Sequence, residues 1–276
     1  MTQVDVPPRP TIELVPFTEA HVPGALALSQ AVKWPHRTED WMLVLSASRG
    51  VVALAEDRVV GTALCSLHGP VATLNMIIVD PAMQGQGLGR KVMDHVIALA
   101  GEREMRLVAT PEGAPLYRKL GFEDCGRVVQ LQGTARAATP ELPVSFDRAN
   151  PRVLARMDTE ASAMERGLLL SRIAQGGETL TTDGGFALLR AFGRGHVLGP
   201  VVARDDRAAR ALIAAAMTRM EGQFLRMDLI EERGLAPFVE SLGLPVAGGG
   251  TSMVRNPHTA AASGYRTHAL VSQALG

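Results

Sequence analysis

The segment Gln84-Gly85-Gln86-Gly87-Leu88-Gly89-Arg90 constrains this chain more than any other. It follows an apolar run, Leu74-Asn75-Met76-Ile77-Ile78-Val79, which Asp80-Pro81 ends as a strand gives way to a turn. It leads straight into Leu88, Val92, Met93, Val96 and Ile97, spaced for one face of a helix, with Arg90, Lys91, Asp94 and His95 on the other. Glycine at three alternate positions clears the Cβ atoms that would keep backbone N–H groups away from an anion. The helix start adds partial positive charge. A dinucleotide loop G-x-G-x-x-G would need glycine where Arg90 stands, and no G-K-S/T follows for a P-loop. The ligand-free alternative is a tight strand-to-helix turn, and turn chemistry rarely needs three alternating glycines.

What does fit is Gln84-x-x-Gly87-x-Gly89, the pattern Q/R-x-x-G-x-G/A that cradles the pyrophosphate of coenzyme A. A second block follows: Ala109-Thr110-Pro111-Glu112-Gly113-Ala114-Pro115-Leu116-Tyr117-Arg118-Lys119-Leu120-Gly121-Phe122. On these two segments, in this order, the chain resembles the GNAT superfamily of N-acetyltransferases. The resemblance implies an α/β (α+β) GNAT fold, a mixed, mostly antiparallel sheet flanked by helices, with acetyl-CoA as cosubstrate. It implies that acetyl-CoA wedges between the strand ending near Val79 and the one near residues 105–109. Backbone N–H groups of Ile77, Ile78 and Val79 would face the pantetheine and thioester, and Gln84, Gly85, Gln86, Gly87, Leu88, Gly89 and Arg90 would hold the pyrophosphate. Tyr117 would be the general acid for the leaving thiolate; its alternative is a half-buried tyrosine packing on the core. Some family members carry a glutamate base where Thr73 stands here, and threonine is no base at neutral pH. Asp80, His36, His68 or a water chain remain as substitutes.

Ahead of the glycine turn, Thr11–Phe17 alternates as a first strand and Thr18 caps a helix through Ala31. Both tryptophans of the chain then fall in Trp34-Pro35-His36-Arg37-Thr38-Glu39-Asp40-Trp41. In a GNAT fold this region walls the acceptor cleft, making Trp34, His36, Asp40 and Trp41 candidate substrate contacts. The alternative is two aromatic core anchors beside solvated charges. Residues 51–55 and 59–65 read as a hairpin and 72–79 completes a meander.

Residues 131–152 change character and read as a connector. Beyond it the pattern returns: strands at 185–192 and 197–203, a helix at 205–220, a strand at 225–229 and a short helix at 235–242. The chemistry does not return. Arg204-Asp205-Asp206-Arg207 stands where the glycines stood, and aligning Leu242-Gly243-Leu244 with Leu120-Gly121-Phe122 puts Val239 opposite Tyr117. Arg204, Arg207 and Arg210 could bind an anion, or form a solvated face with Asp205 and Asp206. The expected organisation is a catalytic GNAT domain at 1–133, a linker at 134–152, a degenerate GNAT-like domain at 153–258 and a tail at 259–276, either docked as a strand or frayed. This arrangement resembles the bacterial two-domain, YitH-like tandem type.

Composition narrows the alternatives. With 28 Lys and Arg against 28 Asp and Glu, the chain has no field to attract nucleic acid or an anionic membrane. Cys65 and Cys125 make no C-x-x-C pair, which suggests a reducing compartment and neither a disulfide framework nor a zinc site. No apolar run approaches roughly 18 residues and Met1–Pro8 lacks a signal-peptide core, so a cytoplasmic monomer or homodimer without a metal is expected. The sequence reading is therefore an N-acetyltransferase for a primary amine of a small molecule. A non-catalytic acetyl-CoA sensor and a protein-lysine acetyltransferase are the alternatives.

Overall fold

Runs rich in Val, Ala and Leu, broken by short turns, build the N-terminal half: β1 (Ile12–Pro16), α1 (Val22–Ala31), α2 (Thr38–Ser46), β2 (Ser48–Ala55), β3 (Arg58–His68), β4 (Val71–Val79), α3 (Leu88–Ala100), β5 (Glu104–Ala109), α4 (Ala114–Lys119) and β6 (Glu123–Thr134). The C-terminal half repeats the order with α5 (Pro151–Ser162), α6 (Gly167–Gly176), β7 (Glu178–Thr182), β8 (Gly185–Phe192), β9 (Gly195–Ala203), α7 (Asp206–Arg219), β10 (Phe224–Ile230), α8 (Ala236–Ser241), β11 (Val246–Arg255) and β12 (Arg266–Ala269). This computed structural model describes residues 11–147, 149–258 and 264–276. The readings made at Met1–Pro8 and at Thr259–Ser263 lie outside the described residues.

All twelve strands among the described residues join one sheet in the order β1-β2-β3-β4-β5-β11-β6-β10-β12-β9-β8-β7. The two halves interleave strands through β11 and β6. β11, from the C-terminal half, lies between β5 and β6, antiparallel to both, with Thr251 opposite Ala109 and Arg127. β6 in turn pairs through its second half with β10, from Val128↔Ile230 to Thr134↔Phe224. Residues 131–134, expected at the start of a connector, are thus strand residues paired with β10, and Leu131 also faces Val246 of β11. The sequence Val-Ala-Gly-Gly-Gly-Thr of β11 has little strand propensity. It is a strand because the space requires glycine: a Cβ at Gly249 would lie 2.1 Å from Val128 O, and one at Gly250 would lie 2.6 Å from Val108 Cγ1.

Three apolar clusters flank the sheet. α3 turns Leu88, Val92, Met93, Val96 and Ala100 onto β2, β3 and β4, and α4 joins them with Tyr117. On the opposite face, Phe17, Trp41 and Val44 of the first half pack with Leu154, Leu170, Phe186 and Val271 of the second in one shared core. α7 and α8 cover the remaining strands. At about 1.5–3 kcal/mol for each large apolar side chain buried, this shared core is a substantial part of what holds the halves together.

Candidate functional site

β4 and β5 run parallel and pair only at Val71↔Glu104, Ala72↔Met105 and Thr73↔Arg106. Beyond Thr73 and Arg106 they diverge and leave a cleft. A bulge sets what β4 shows it: Thr62 faces Ile78 while Leu64 faces Asn75, so the strand carries an extra residue, with Met76 at φ +48°. The Thr62 hydroxyl donates to Met76 O at 2.6 Å and pins the bulge. The Asp80 N–H donates to Val60 O of β3 at 2.9 Å. Because alternate residues of a strand turn their N–H groups to opposite edges, Ile77 and Val79 direct theirs into the cleft. Ile78, expected to do the same, directs its own toward β3.

The glycine loop lies at the mouth of this cleft. Asp80 starts it by accepting the Ala82 N–H at 2.9 Å and pairing with Arg58. The guanidinium first, and that N–H second, hold the Asp80 carboxyl below the usual carboxylate range. Gly85 and Gly87 adopt φ +75° and +80°, the left-handed region where glycine is favoured. A Cβ on either would meet nothing within 4 Å, so open space lies over the loop. Gly87 is the N-cap of α3, and its carbonyl accepts from Lys91 N at 3.1 Å. Gln84, Gln86 and Arg90 are exposed around it, and Leu88 is buried beneath. A Cβ on Gly89 would lie 3.2 Å from Leu116 Cδ2, which ties the loop to α4.

α4 carries Tyr117, 7% exposed and edge-on to Phe122 at 6.2 Å. Burial raises its phenol to about 12. Its ring folds back over Gly113, where a Cβ would lie 2.9 Å from Cε2 and 3.2 Å from the hydroxyl. Pro115 near the helix start and Gly121 at φ +83° after its end fix the turn. Pro237 and Gly243, at φ +99°, do the same for α8. The matching positions of that helix hold Leu235 for Gly113 and Val239 for Tyr117, with both side chains buried.

On the other face of the sheet, a cavity of about 400 Å³ reaches Thr73 and Leu74 of β4 and Leu107 and Val108 of β5. Its remaining walls come largely from the second half: the end of α5, β10 and its following turn, β11, and the chain from Thr267 to Gly276. Arg166 shapes that last segment. Fully buried and paired with Asp158 at 2.8 Å, it also donates to the carbonyls of Leu275 and Gly276. Glu232, Arg233 and Gln273 line the cavity too; none belongs to a motif, and only the assembled fold reveals them.

None of Trp34, His36, Asp40 and Trp41 lines this cavity, contrary to the sequence expectation. Trp41 is fully buried, stacked on Phe17 at 5.7 Å and donating to Ser29 Oγ at 3.3 Å. Asp40 takes a two-point ion pair from Arg37 and the Gly193 N–H of the other half at 3.0 Å. Burial alone would raise its carboxyl; the Arg37 and Gly193 bonds outweigh this and keep it below the usual range. His36 sits among Trp34, Trp41 and Phe192, and burial lowers its pKa to about 4. These four residues form the seam between the halves. His68 is likewise brought to about 4, by burial and then by Arg166, so both imidazoles are neutral at pH 7.

The counterpart of the cleft in the second half is closed. β9 and β10 pair only at His196↔Leu225 and Val197↔Arg226, and β12 occupies the gap beyond, with Thr267 opposite Val202 and Ala269 opposite Leu229. The tail, expected as either docked or frayed, is thus docked at Arg266–Ala269. At the start of α7, Asp205 accepts the Ala208 N–H at 2.8 Å, a side-chain cap where the first half has bare glycine.

Comparison with known proteins gives this architecture its family. Two models, each describing an acetyltransferase (GNAT) domain, match residues 46–124 and 154–265, together more than half of the chain. The uncharacterized N-acetyltransferase YitH of Bacillus subtilis (strain 168) is 28% identical over 236 residues, covering 80% of this chain and 83% of that protein. The histone acetyltransferase TAP1 of Glycine max is 31% identical over 136 residues, 42% of this chain and 59% of that one. Among solved structures, a putative acetyltransferase from Pyrococcus horikoshii superposes with a TM-score of 0.83 at 18% identity, covering 100% of this chain and 99% of its own. A tandem GNAT protein from the clavulanic acid biosynthesis pathway superposes with a TM-score of 0.64 at 15% identity, covering 91% of this chain and 100% of its own. Both solved structures share the fold. With two GNAT matches in tandem and a relative spanning most of its length, the chain belongs to the GNAT acetyltransferases, as a YitH-like tandem member.

Proposed function

We propose that this acetyltransferase uses acetyl-CoA to acetylate a primary amine of a small molecule, by direct attack in a ternary complex. The observation that carries the reading is the cleft between β4 and β5, open past Thr73 and Arg106 and joined at its mouth to the bare glycine loop. The pyrophosphate takes the N–H groups of residues 84–90 at the start of α3, where positive φ and open space leave room for it. The pantetheine then extends β4 as a further strand would, on the N–H groups of Ile77 and Val79.

The acceptor enters from the opposite face through the cavity. Its neutral amine attacks the thioester carbonyl carbon, and the oxyanion that forms is stabilised by N–H groups of the β4 edge. The tetrahedral intermediate collapses as the C–S bond breaks, and the thiolate takes a proton from the Tyr117 hydroxyl, which solvent then restores. With His36 and His68 both at about 4, neither competes for the amine proton at neutral pH. Asp80, the remaining side-chain candidate, is engaged by Arg58 and the Ala82 N–H, and on this reading the amine loses its proton to water. The walls that the second half adds to the cavity favour a small molecule over a protein chain as acceptor.

The test is thiol release from acetyl-CoA over a panel of amino acids, polyamines, aminosugars, aminoglycosides and a lysine peptide, with Tyr117→Phe alongside. Release on one chemical class that is lost in the variant supports the reading. Saturable acetyl-CoA binding with no release on any amine overturns it in favour of a sensor.

A further inference from the structure

The acceptor cavity holds four charged side chains, and two of them are already spent. Arg106 donates to Glu104 Oε1 at 2.6 Å and to Ser162 O at 2.7 Å, and Glu104 also accepts the His258 N–H at 3.0 Å. The other two stand together on the turn after β10. Among the described residues Glu232 accepts only a backbone N–H, from Arg127 at 3.0 Å, and Arg233 donates through Nε to Thr267 O at 3.1 Å. Neither has an ion-pair partner among the described residues. The turn thus sends a carboxylate toward β6 and a guanidinium toward β12, both lining the cavity with unused hydrogen-bonding capacity, so that an ammonium and a carboxylate carried on one carbon can lie between them.

The distance of Glu232 from the reacting position sets the rest of the ligand. Glu232 lies over β6, where a Cβ on Gly126 would come within 2.8 Å of its Oε1. Gly126 is opposite Ser252 of β11, and Ser252 is opposite Val108 of β5. From the β4/β5 cleft to β6 is two and a half strand spacings, about 12 Å. An amine four methylenes from its α-carbon reaches about 6 Å in extended form. A hydrogen bond of about 3 Å at the headgroup and an attack distance of about 3 Å at the thioester complete the span. Between the two ends, Val108, Ile230, Met253, Val254, Leu270 and Ala274 make an apolar passage suited to methylenes and unsuited to a second charge.

Resting on the acetyltransferase reading above, we infer that the acceptor is a free α,ω-diamino acid, acetylated on its side-chain amine while Arg233 holds the α-carboxylate and Glu232 the α-ammonium. Lysine fits the span, and ornithine is one methylene shorter. The reaction balances as for any amine: the side-chain nitrogen gains the acetyl group and releases one proton, and coenzyme A leaves as the thiol.

The experiment compares kcat/KM for lysine, ornithine, cadaverine and 6-aminohexanoate in the full-length protein. Cadaverine lacks the α-carboxylate and 6-aminohexanoate lacks the α-ammonium; each should fall about 10- to 100-fold below lysine, the loss of one charge-assisted contact. Arg233→Gln should bring the lysine-to-cadaverine ratio toward one, and Glu232→Gln the ratio of lysine to 6-aminohexanoate. A readout independent of turnover is alkylation of Cys125, which lines the cavity beside Glu232, while buried Cys65 stays silent. Lysine should slow this alkylation more than cadaverine does at equal concentration. Equal use of lysine and cadaverine, or variants that lower every acceptor alike, overturns the inference. Turnover of arylamines or aminosugars but not of lysine overturns it and leaves the acetyltransferase reading standing. Failure to bind acetyl-CoA removes both.

Discussion

Two strand pairs of this sheet begin alike and end differently. β4 with β5, and β9 with β10, each start as a short parallel ladder and then diverge. In the first, the gap stays open and two backbone N–H groups look into it. In the second, β12 enters the gap and pairs with both neighbours. A diverging parallel pair leaves backbone groups that something must satisfy. One half reserves them for a ligand; the other satisfies them with its own chain. Around each gap the side chains follow suit: Gly87 against an Asp205 cap, Gly113 against Leu235, Tyr117 against Val239.

Matched changes on the two sides should therefore act on different observables. The largest effect comes from ending their partnership. Residues 1–140 alone lack β11, leaving β5 and β6 without the strand between them. This fragment should be insoluble or fail to bind acetyl-CoA, and co-expression with residues 141–276 should restore both; a soluble fragment that binds would break the comparison. Next, Tyr117→Phe should lower kcat by about 10²- to 10⁴-fold with little change in acetyl-CoA affinity. Its mirror, Val239→Ala, should cost about 2 kcal/mol in denaturant unfolding and leave kcat/KM unchanged. Gly113→Ala drives a Cβ to within 2.9 Å of the tyrosine ring and should cost about tenfold in kcat with acetyl-CoA binding intact.

The pH dependence sharpens the open side. His36 and His68 are deprotonated above about 4 and Tyr117 keeps its proton to about 12. Between those limits kcat/KM should rise with pH until the acceptor amine itself is deprotonated, with no falling limb from Tyr117. An inflection near pH 6.5 that is independent of the acceptor would reveal a protein base. The smallest effect belongs to the closed side: Asp205→Ala removes a helix cap, costing about 1 kcal/mol by thermal or denaturant unfolding, without altering acetyl-CoA binding.

Much of the open cleft was legible because its signals are local. Glycines at positive φ, a strand ended by Asp80-Pro81 and a helix stripe beginning at Leu88 lie within a short stretch, as do Tyr117 and Gly121. The echo at 185–244 was legible for the same reason, including the losses at Asp205 and Val239. What escaped is non-local. β11 reads as a glycine-rich loop until Val128 and Val108 stand beside it, and the polar end of β6 reads as a connector until β10 pairs with it. The residues from Trp34 to Trp41 carry aromatic and charged groups fit for a ligand wall, and only the position of Phe192 and Gly193 shows that the second half claims them. The cavity, set by Arg166 holding the carbonyls of Leu275 and Gly276, has no motif at all.

The interleaving of strands also bears on how the chain is made. When β6 has just been synthesised, the strand that lies between it and β5 is still over a hundred residues away, at Val246–Arg255. Until Arg255 has emerged, the growing chain exposes sheet edges of the kind that recruit other chains. The first half is thus obliged to wait for the second. Slow translation between codons 135 and 246 should lengthen that exposure and raise the demand for chaperones, even though the finished protein is unchanged.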